Sequence, residues 1–278
     1  MSEESESAQS WRSFDAVYDR DEPRAYFRAL APLGYRQPDV VAGFLAERGR
    51  AVAQARGQRR LRILDFGCGY GALGAVISHR LLMEDLFAYF TAPGGAQSDD
   101  RTFFAERRKT APGPLIGGLD IAGRAVAYAQ ACGLIEAGFT ENLTQTAPGP
   151  ALQAFFAETD LVVETGAVYD HVPACYRRLL ESSAQRPWLL FGPRGDVDTA
   201  PLWSLLEEAG YGLETVSQGH RRYRRFLDGD ERAASEAAMR TFGRDPARCS
   251  GQGWFLNPLV LARPRADRDA LPIEALRY

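Results

Sequence analysis

Short apolar runs alternate along the chain with longer amphipathic stretches, and this alternation predicts the architecture. Leu61, Ile63 and Leu64 form an apolar run that stops at a glycine cluster, the mark of a buried parallel strand. LIGGLD predicts a second strand, the weak apolar stretch around AGFTENL a short third, DLVVET a fourth and PWLLFGP a fifth. YGLETVSQ and GWFLNPLVLARP complete the series as a sixth and a seventh. Helical patterns lie between them: ALGAVISHRLLMEDLFAYF as one helix, then AGRAVAYAQACGLI, ALQAFFAET, VPACYRRLLESS, APLWSLLEEAGY and ERAASEAAMRTFG. Ahead of the first strand a helical pattern runs from Phe14 to Ala55, broken at Pro23, Pro32 and Pro38, with Val40, Val41, Phe44 and Leu45 at amphipathic spacing.

Strand–helix alternation of this length predicts an α/β fold, a doubly wound and mostly parallel seven-stranded sheet with helices on both faces. Its last strand–helix–strand unit is placed to close in an antiparallel crossing. Residues 1–12 read as a disordered tail, 13–57 as a helical N-terminal lid, and 58–278 as a Rossmann-like domain. A Pro/Gly/Asp-rich insertion at 91–114 interrupts that domain and carries a short helix at Phe103–Arg108. With 278 residues, 45% of them hydrophobic, one sizeable core is expected rather than two equal domains.

Charge narrows the partners. A formal net charge of -3 gives no bulk electrostatic case for nucleic acid or an anionic membrane. The basic run Arg221, Arg222, Arg224 and Arg225 is followed by Asp228, Asp230 and Glu231 and reads as a solvated turn. The acidic N-terminus lacks the pattern of a signal peptide, and no apolar run approaches the roughly 20 residues that span a bilayer, so a soluble, cytoplasmic protein is expected. Cys68, Cys132, Cys175 and Cys249 lie far apart, and His79, His171 and His220 form no cluster; reduced thiols and no metal site are the expectation. The expected partner is a small-molecule substrate, with the oligomeric state left open.

Candidate chemistry begins where the first strand stops, at Asp65-Phe66-Gly67-Cys68-Gly69-Tyr70-Gly71. A chain turning sharply from strand to helix, and letting a ligand approach its backbone, requires glycine. The spacing is GxGxG after an acid rather than the dinucleotide GxGxxG, and a carboxylate there suits an ammonium group better than a pyrophosphate. Asp120 closes the second strand, where such folds hydrogen-bond ribose, or else it caps the following helix. Together the two features favour an adenosyl ligand.

ILDFGCGYG, GGLDIAGRAVAYA and DLVVETG, in that order, resemble class I S-adenosylmethionine-dependent methyltransferases across residues 60–278. The resemblance implies S-adenosylmethionine as cosubstrate or substrate, with Asp65, Gly67, Gly69 and Gly71 at its methionine end, Asp120 and Ile121 at the ribose, and Glu164 to Gly166 near the transferred group. The third-strand acid of that family has no counterpart, and Asn142 is the substitute for the adenine pocket. VYDRDEPRAYFRAL, FFAERR and GWFLNPLVLARP further resemble a bacterial natural-product subgroup, which azetidine-2-carboxylate synthases also resemble. Those enzymes keep the methyltransferase fold but cyclise S-adenosylmethionine and release methylthioadenosine.

Candidate catalytic side chains cluster after the fourth strand. His171 is either a general base or a helix-capping or surface residue. Tyr169 either offers its ring to a sulfonium or walls the pocket. Glu164 holds a substrate ammonium group or pairs with Arg177 or Arg178, and Tyr176 packs or reaches the site. Tyr18, Tyr26 and Phe27 form a lid over the ligand or fasten a helix to the domain. The leading reading is methyl transfer to a small nucleophile. Its rival in the same pocket is cyclisation of the cosubstrate, and a non-catalytic binding module is the reading from a different class. An open acceptor cavity favours transfer; a closed one walled by aromatics favours cyclisation.

Overall fold

The apolar runs become β1 (Arg62–Phe66), β2 (Leu115–Leu119), β3 (Ala137–Phe139), β4 (Leu161–Glu164), β5 (Trp188–Phe191) and β6 (Tyr211–Thr215) of a computed structural model, which describes residues 17–166 and 170–278. β7 (Arg221–Arg225), β8 (Ser250–Gly251), β9 (Trp254–Asn257) and β10 (Val260–Pro264) follow. The main sheet has the order β3-β2-β1-β4-β5-β10-β6. β1 to β5 pair in parallel, and β10 runs antiparallel between β5 and β6. This is a doubly wound, Rossmann-like α/β fold, with its antiparallel crossing at the end of the chain.

Alternate strand residues bury into opposite layers, as a sheet covered on both faces requires. Ile63, Leu161 and Val163 join one apolar cluster, while Leu64, Val162 and Leu189 join the other. The first layer packs against α1 (Arg24–Leu30), α2 (Gln37–Ala55), α3 (Ala72–Ser78), α4 (Met83–Thr91), α5 (Gln97–Arg107) and α6 (Gly123–Ala131). α7 (Pro150–Ala157), α8 (Val172–Glu181) and α9 (Ala200–Glu208) cover the second. α10 (Gly229–Thr241) and α11 (Pro246–Cys249) lie between β7 and β8. Among the described residues no helix is long and apolar enough to cross a membrane.

Four elements depart from the sequence expectation. The helix expected over ALGAVISHRLLMEDLFAYF is two. The chain extends at His79, which bridges to Arg108, while Arg80 donates to the Arg107 carbonyl. α4 then restarts with the Leu82 amide donating to Asp85, half of a capping box. The insertion holds an eleven-residue helix, α5, started by Asp99 and Asp100 in its first turn, where acids suit the helix dipole.

The single seventh strand expected over GWFLNPLVLARP is broken at Pro258, which has no amide proton for a ladder. β9 therefore enters a separate antiparallel sheet, β7-β9-β8, and β10 alone enters the main one. The arginine run is not a solvated turn but β7 of that small sheet. Arg224 is buried against Glu231 at 2.6 Å and over the Phe255 ring, and Arg222 and Arg225 both lie over Trp254.

Gly74 tests this packing. Alanine within a helix ordinarily gains about 1 kcal/mol over glycine. Here a Cβ would stand 2.1 Å from the Leu134 carbonyl oxygen on the turn after α6. Gly74→Ala is expected to lose roughly 1–3 kcal/mol through overpacking, read as a lower melting temperature. An unchanged or higher one would contradict the contact.

Candidate active site

Strand order reverses at β1, which has β2 on one side and β4 on the other, the place where doubly wound sheets bind ligands beyond their carboxyl ends. The loop leaving β1 turns there through Gly67, Gly69 and Gly71 at φ of 76°, 48° and 76°, a region that costs other residues roughly 1–2 kcal/mol each. The Gly67 amide donates to the Leu119 carbonyl at 2.8 Å and ties the loop to the end of β2.

Asp120 completes that tie. Its Oδ2 accepts from the Gly69 amide and from the Tyr18 hydroxyl, both at 2.9 Å. Oδ1 accepts from the Ala122 amide at 2.9 Å, ahead of α6. The residue therefore leads into α6 and stands at the glycine loop.

Asp65 is placed differently. It is 1% exposed, and neither carboxyl oxygen has a hydrogen-bond partner among the described residues. Burial, reinforced by the charge of Asp120, pushes its carboxyl up to about 8. On the adjacent strand Glu164 lies opposite Phe66 and is wholly buried. Burial likewise raises its carboxyl to about 8; the Gly166 amide, which it accepts, opposes this, and Asp65 adds to it. Arg178 donates to the Leu143 carbonyl, and Arg177 is exposed.

Tyrosines wall this pair of acids. The rings of Tyr18 and Tyr26 lie 5.4 Å apart, Tyr26 and Tyr70 5.4 Å, and Tyr18 and Tyr70 6.0 Å. Burial raises the Tyr26 hydroxyl, with contributions from Tyr223, Asp120, Tyr70 and Asp65. Tyr35 donates to the Thr165 carbonyl at 2.9 Å and meets Tyr223 edge-on at 5.3 Å. The Tyr223 hydroxyl comes within 2.5 Å of where a Cβ on Gly166 would lie. From α8 the Tyr176 ring packs 5.0 Å from Phe66. Its buried hydroxyl has no hydrogen-bond partner among the described residues, and burial followed by Glu164 raises it.

The structure thus gathers Asp65, Gly67, Gly69, Gly71, Asp120, Glu164, Tyr18, Tyr26 and Tyr176 at one edge of the sheet. Ile121 is 69% exposed beside Asp120. Asn142, after β3, turns its Oδ1 onto the amide and hydroxyl of Thr144 at 3.0 and 2.6 Å and so shapes its own turn. His171 is exposed just before α8. Tyr169 lies outside the described residues, as does the expected disordered tail at 1–12. Three wall residues went unnoticed in the sequence. Tyr70 sits within the glycine motif itself, while Tyr35 and Tyr223 carry no local signal and meet only through the fold.

No protein-family model matches the chain, and no curated protein matches it. Solved structures do. One is magnesium protoporphyrin IX methyltransferase from Synechocystis PCC 6803 with bound SAM: 17% identity, 81% of this chain and 77% of that chain covered, TM-score 0.41. A second is the plantazolicin methyltransferase in complex with SAH: 11% identity, 93% and 94% covered, TM-score 0.42. A third is a TehB-like SAM-dependent methyltransferase from Corynebacterium glutamicum: 14% identity, 92% and 96% covered, TM-score 0.38. What the site can do follows from its own residues.

The two raised carboxyls contribute a pH dependence to the stability of the free protein. Asp65 titrates at about 8 when folded against 3.8 ordinarily, and Glu164 at about 8 against 4.5. A carboxyl raised by folding supports stability fully below its unfolded pKa and loses that support as pH rises through the folded value. Between pH 4 and 8 these groups should therefore erode stability. Asp65→Asn is expected to flatten that decline and raise the melting temperature at pH 8 by several degrees, at roughly 2–4 °C per kcal/mol. A lower melting temperature at pH 8 would mean that the Asp65 carboxylate is satisfied within the free protein.

Proposed function

We propose that the chain binds S-adenosylmethionine at the carboxyl edge of the sheet and transfers its methyl group to a small nucleophile in natural-product biosynthesis. The observation that carries this reading is Asp65: a buried carboxyl whose two oxygens lack partners among the described residues, beside a loop with glycine at 67, 69 and 71. A buried acid in that state calls for a cation from outside the protein. The ligand's ammonium group meets that demand, and the rings of Tyr18, Tyr26 and Tyr70 suit its sulfonium. Asp120 takes the ribose, exposed Ile121 lies against the nucleoside, and Asn142 borders the adenine.

Bound S-adenosylmethionine supplies an activated carbon and a thioether leaving group, so the protein has to position the nucleophile, accept its proton and exclude water. Glu164 is the buried base for that proton, with Tyr176 beside it to orient the reacting group. His171 leads into α8 on that side. The segment through α1 is the lid, bringing Tyr18 and Tyr26 over the glycine loop.

One observation favours a second reading. Tyr18, Tyr26, Tyr35, Tyr70, Tyr176 and Tyr223 crowd the methionine end, which fits a closed site better than one with a separate acceptor cavity. In that reading the ligand's own amine displaces sulfur at the γ-carbon. The N–C bond forms as the C–S bond breaks, sulfur keeps the electron pair, and the amine proton passes to Glu164. The products are azetidine-2-carboxylate and methylthioadenosine.

Mass spectrometry after incubation with S-adenosylmethionine alone separates the readings. Transfer gives no turnover until an acceptor is added, and then S-adenosylhomocysteine. Methylthioadenosine with a small imino acid establishes the second reading, and absence of calorimetric heat with unchanged behaviour of Asp120→Ala removes both.

Binding should also move protons. Because Asp65 titrates at about 8 in the free protein and must ionise beside the ligand's ammonium group, S-adenosylhomocysteine binding at pH 7 releases protons. The apparent affinity then rises with pH up to about 8, and the observed heat varies with the ionisation enthalpy of the buffer. Asp65→Asn is expected to abolish much of that variation and weaken binding at least about tenfold. Heat independent of the buffer would argue against a cation at Asp65.

A further inference from the structure

Beside the tyrosine wall, a second pair of buried polar groups is left incomplete. Gln37, at the first position of α2, is 1% exposed, and its Oε1 has no hydrogen-bond partner among the described residues. Asn257, at the end of β9, is also 1% exposed; its Nδ2 donates to the Gly192 carbonyl at 2.8 Å, while its Oδ1 has no partner among the described residues. Both side chains converge on Gly192. The Gln37 Nε2 stands 1.8 Å from where a Cβ on Gly192 would be, so only glycine admits the glutamine amide.

The position joins the site. Glu164 lies opposite Phe191 in the β4–β5 register, so Gly192 follows at the carboxyl end of β5, next to the end of β4. Tyr35, two residues before Gln37, donates to the Thr165 carbonyl, and the Arg36 amide donates to the Tyr223 carbonyl. An unmatched buried acceptor costs roughly 1–3 kcal/mol. Two of them around one glycine, where the chain has been shaped to let an amide in close, are better explained by a donor arriving with a ligand than by packing.

We propose that Gln37 Oε1 and Asn257 Oδ1 form a subsite that accepts the N–H donors of an amine, the nucleophile of the reaction. This rests on the proposed use of S-adenosylmethionine at the adjoining site. The amine is either a separate substrate or the α-amine of the nucleoside itself. Both sources present several N–H donors, which two neutral amide oxygens match.

The test uses Gln37→Met, close in volume and without the acceptor. Three probes are titrated calorimetrically into wild type and variant: S-adenosylhomocysteine, its analogue lacking the α-amine, and n-hexylamine with and without the nucleoside. The variant is expected to melt at the same temperature as wild type or higher, because it removes an unsatisfied group. If the amine is the nucleoside's own, the variant binds S-adenosylhomocysteine about tenfold more weakly and the deaminated analogue unchanged. If it is separate, only hexylamine binding falls tenfold. Either pattern supports the subsite, and Gln37→Glu, which keeps an acceptor, should restore binding. A lower melting temperature with all affinities unchanged would make Gln37 an ordinary packing residue and overturn the proposal. Wild type binding hexylamine but no nucleoside would instead sink the reading it rests on, while the hexylamine comparison still judges the subsite.

Discussion

The structure turns on a buried carboxyl group that the described part of the protein leaves uncompensated. A carboxyl in a low-dielectric interior either finds a cation and hydrogen-bond donors or takes up a proton. Asp100 shows how this chain satisfies such a group where stability is the purpose. It is fully buried, holds Arg24 at 2.7 Å, and accepts the hydroxyls of Tyr89 at 2.9 Å and Tyr128 at 2.7 Å. That network joins α1, α4, α5 and α6 in one knot. Asp65 lies in the same layered fold with neither cation nor donor among the described residues. The chain can build a complete buried ion pair, and the incomplete one is where we propose that the ligand binds.

The knot around Asp100 also matters for that ligand. Arg24 starts α1, and the residues just before and within α1 carry Tyr18 and Tyr26 to the glycine loop. Arg24 reaches in addition to Glu22 at 2.8 Å and the Ala96 carbonyl at 3.0 Å. The insertion, far from being a loop, therefore provides the anchor that sets the height of the tyrosines over the crevice. Its polar sequence concealed this because α5 buries only a narrow face, with Phe104 and Asp100 the residues that go inward.

Much of the fold was legible because its signals are local. β4 and β5 are fully buried, and a run such as LVVE or WLLF has few other uses. The glycine loop and Asp120 were legible for the same reason, since positive φ and a strand-end acid are short-range requirements. The miscounted elements needed distant information. The break at His79 depends on Arg108, twenty-nine residues on, and the destination of β9, once Pro258 has split the last strand, depends on a second sheet that exists only once β7 has found β9. Tyr35 and Gln37 are near neighbours, but Tyr223 and Asn257 lie some two hundred residues on, so no spacing in the sequence could have grouped them.

Asp120 then links recognition to closure. One oxygen, Oδ2, already receives the Gly69 amide and the Tyr18 hydroxyl. A hydrogen bond to a charged acceptor is worth about 1.5–3 kcal/mol, so a ribose hydroxyl drawn to the same carboxylate competes or shares at an energy equal to one or two decades of affinity. The Tyr18 hydroxyl also stands 2.6 Å from the position a Cβ on Gly69 would take, against the bare backbone that the glycine motif keeps open. The glycines therefore make room for the tyrosine, and under the proposed binding Tyr18 and the ribose would meet at one carboxylate oxygen.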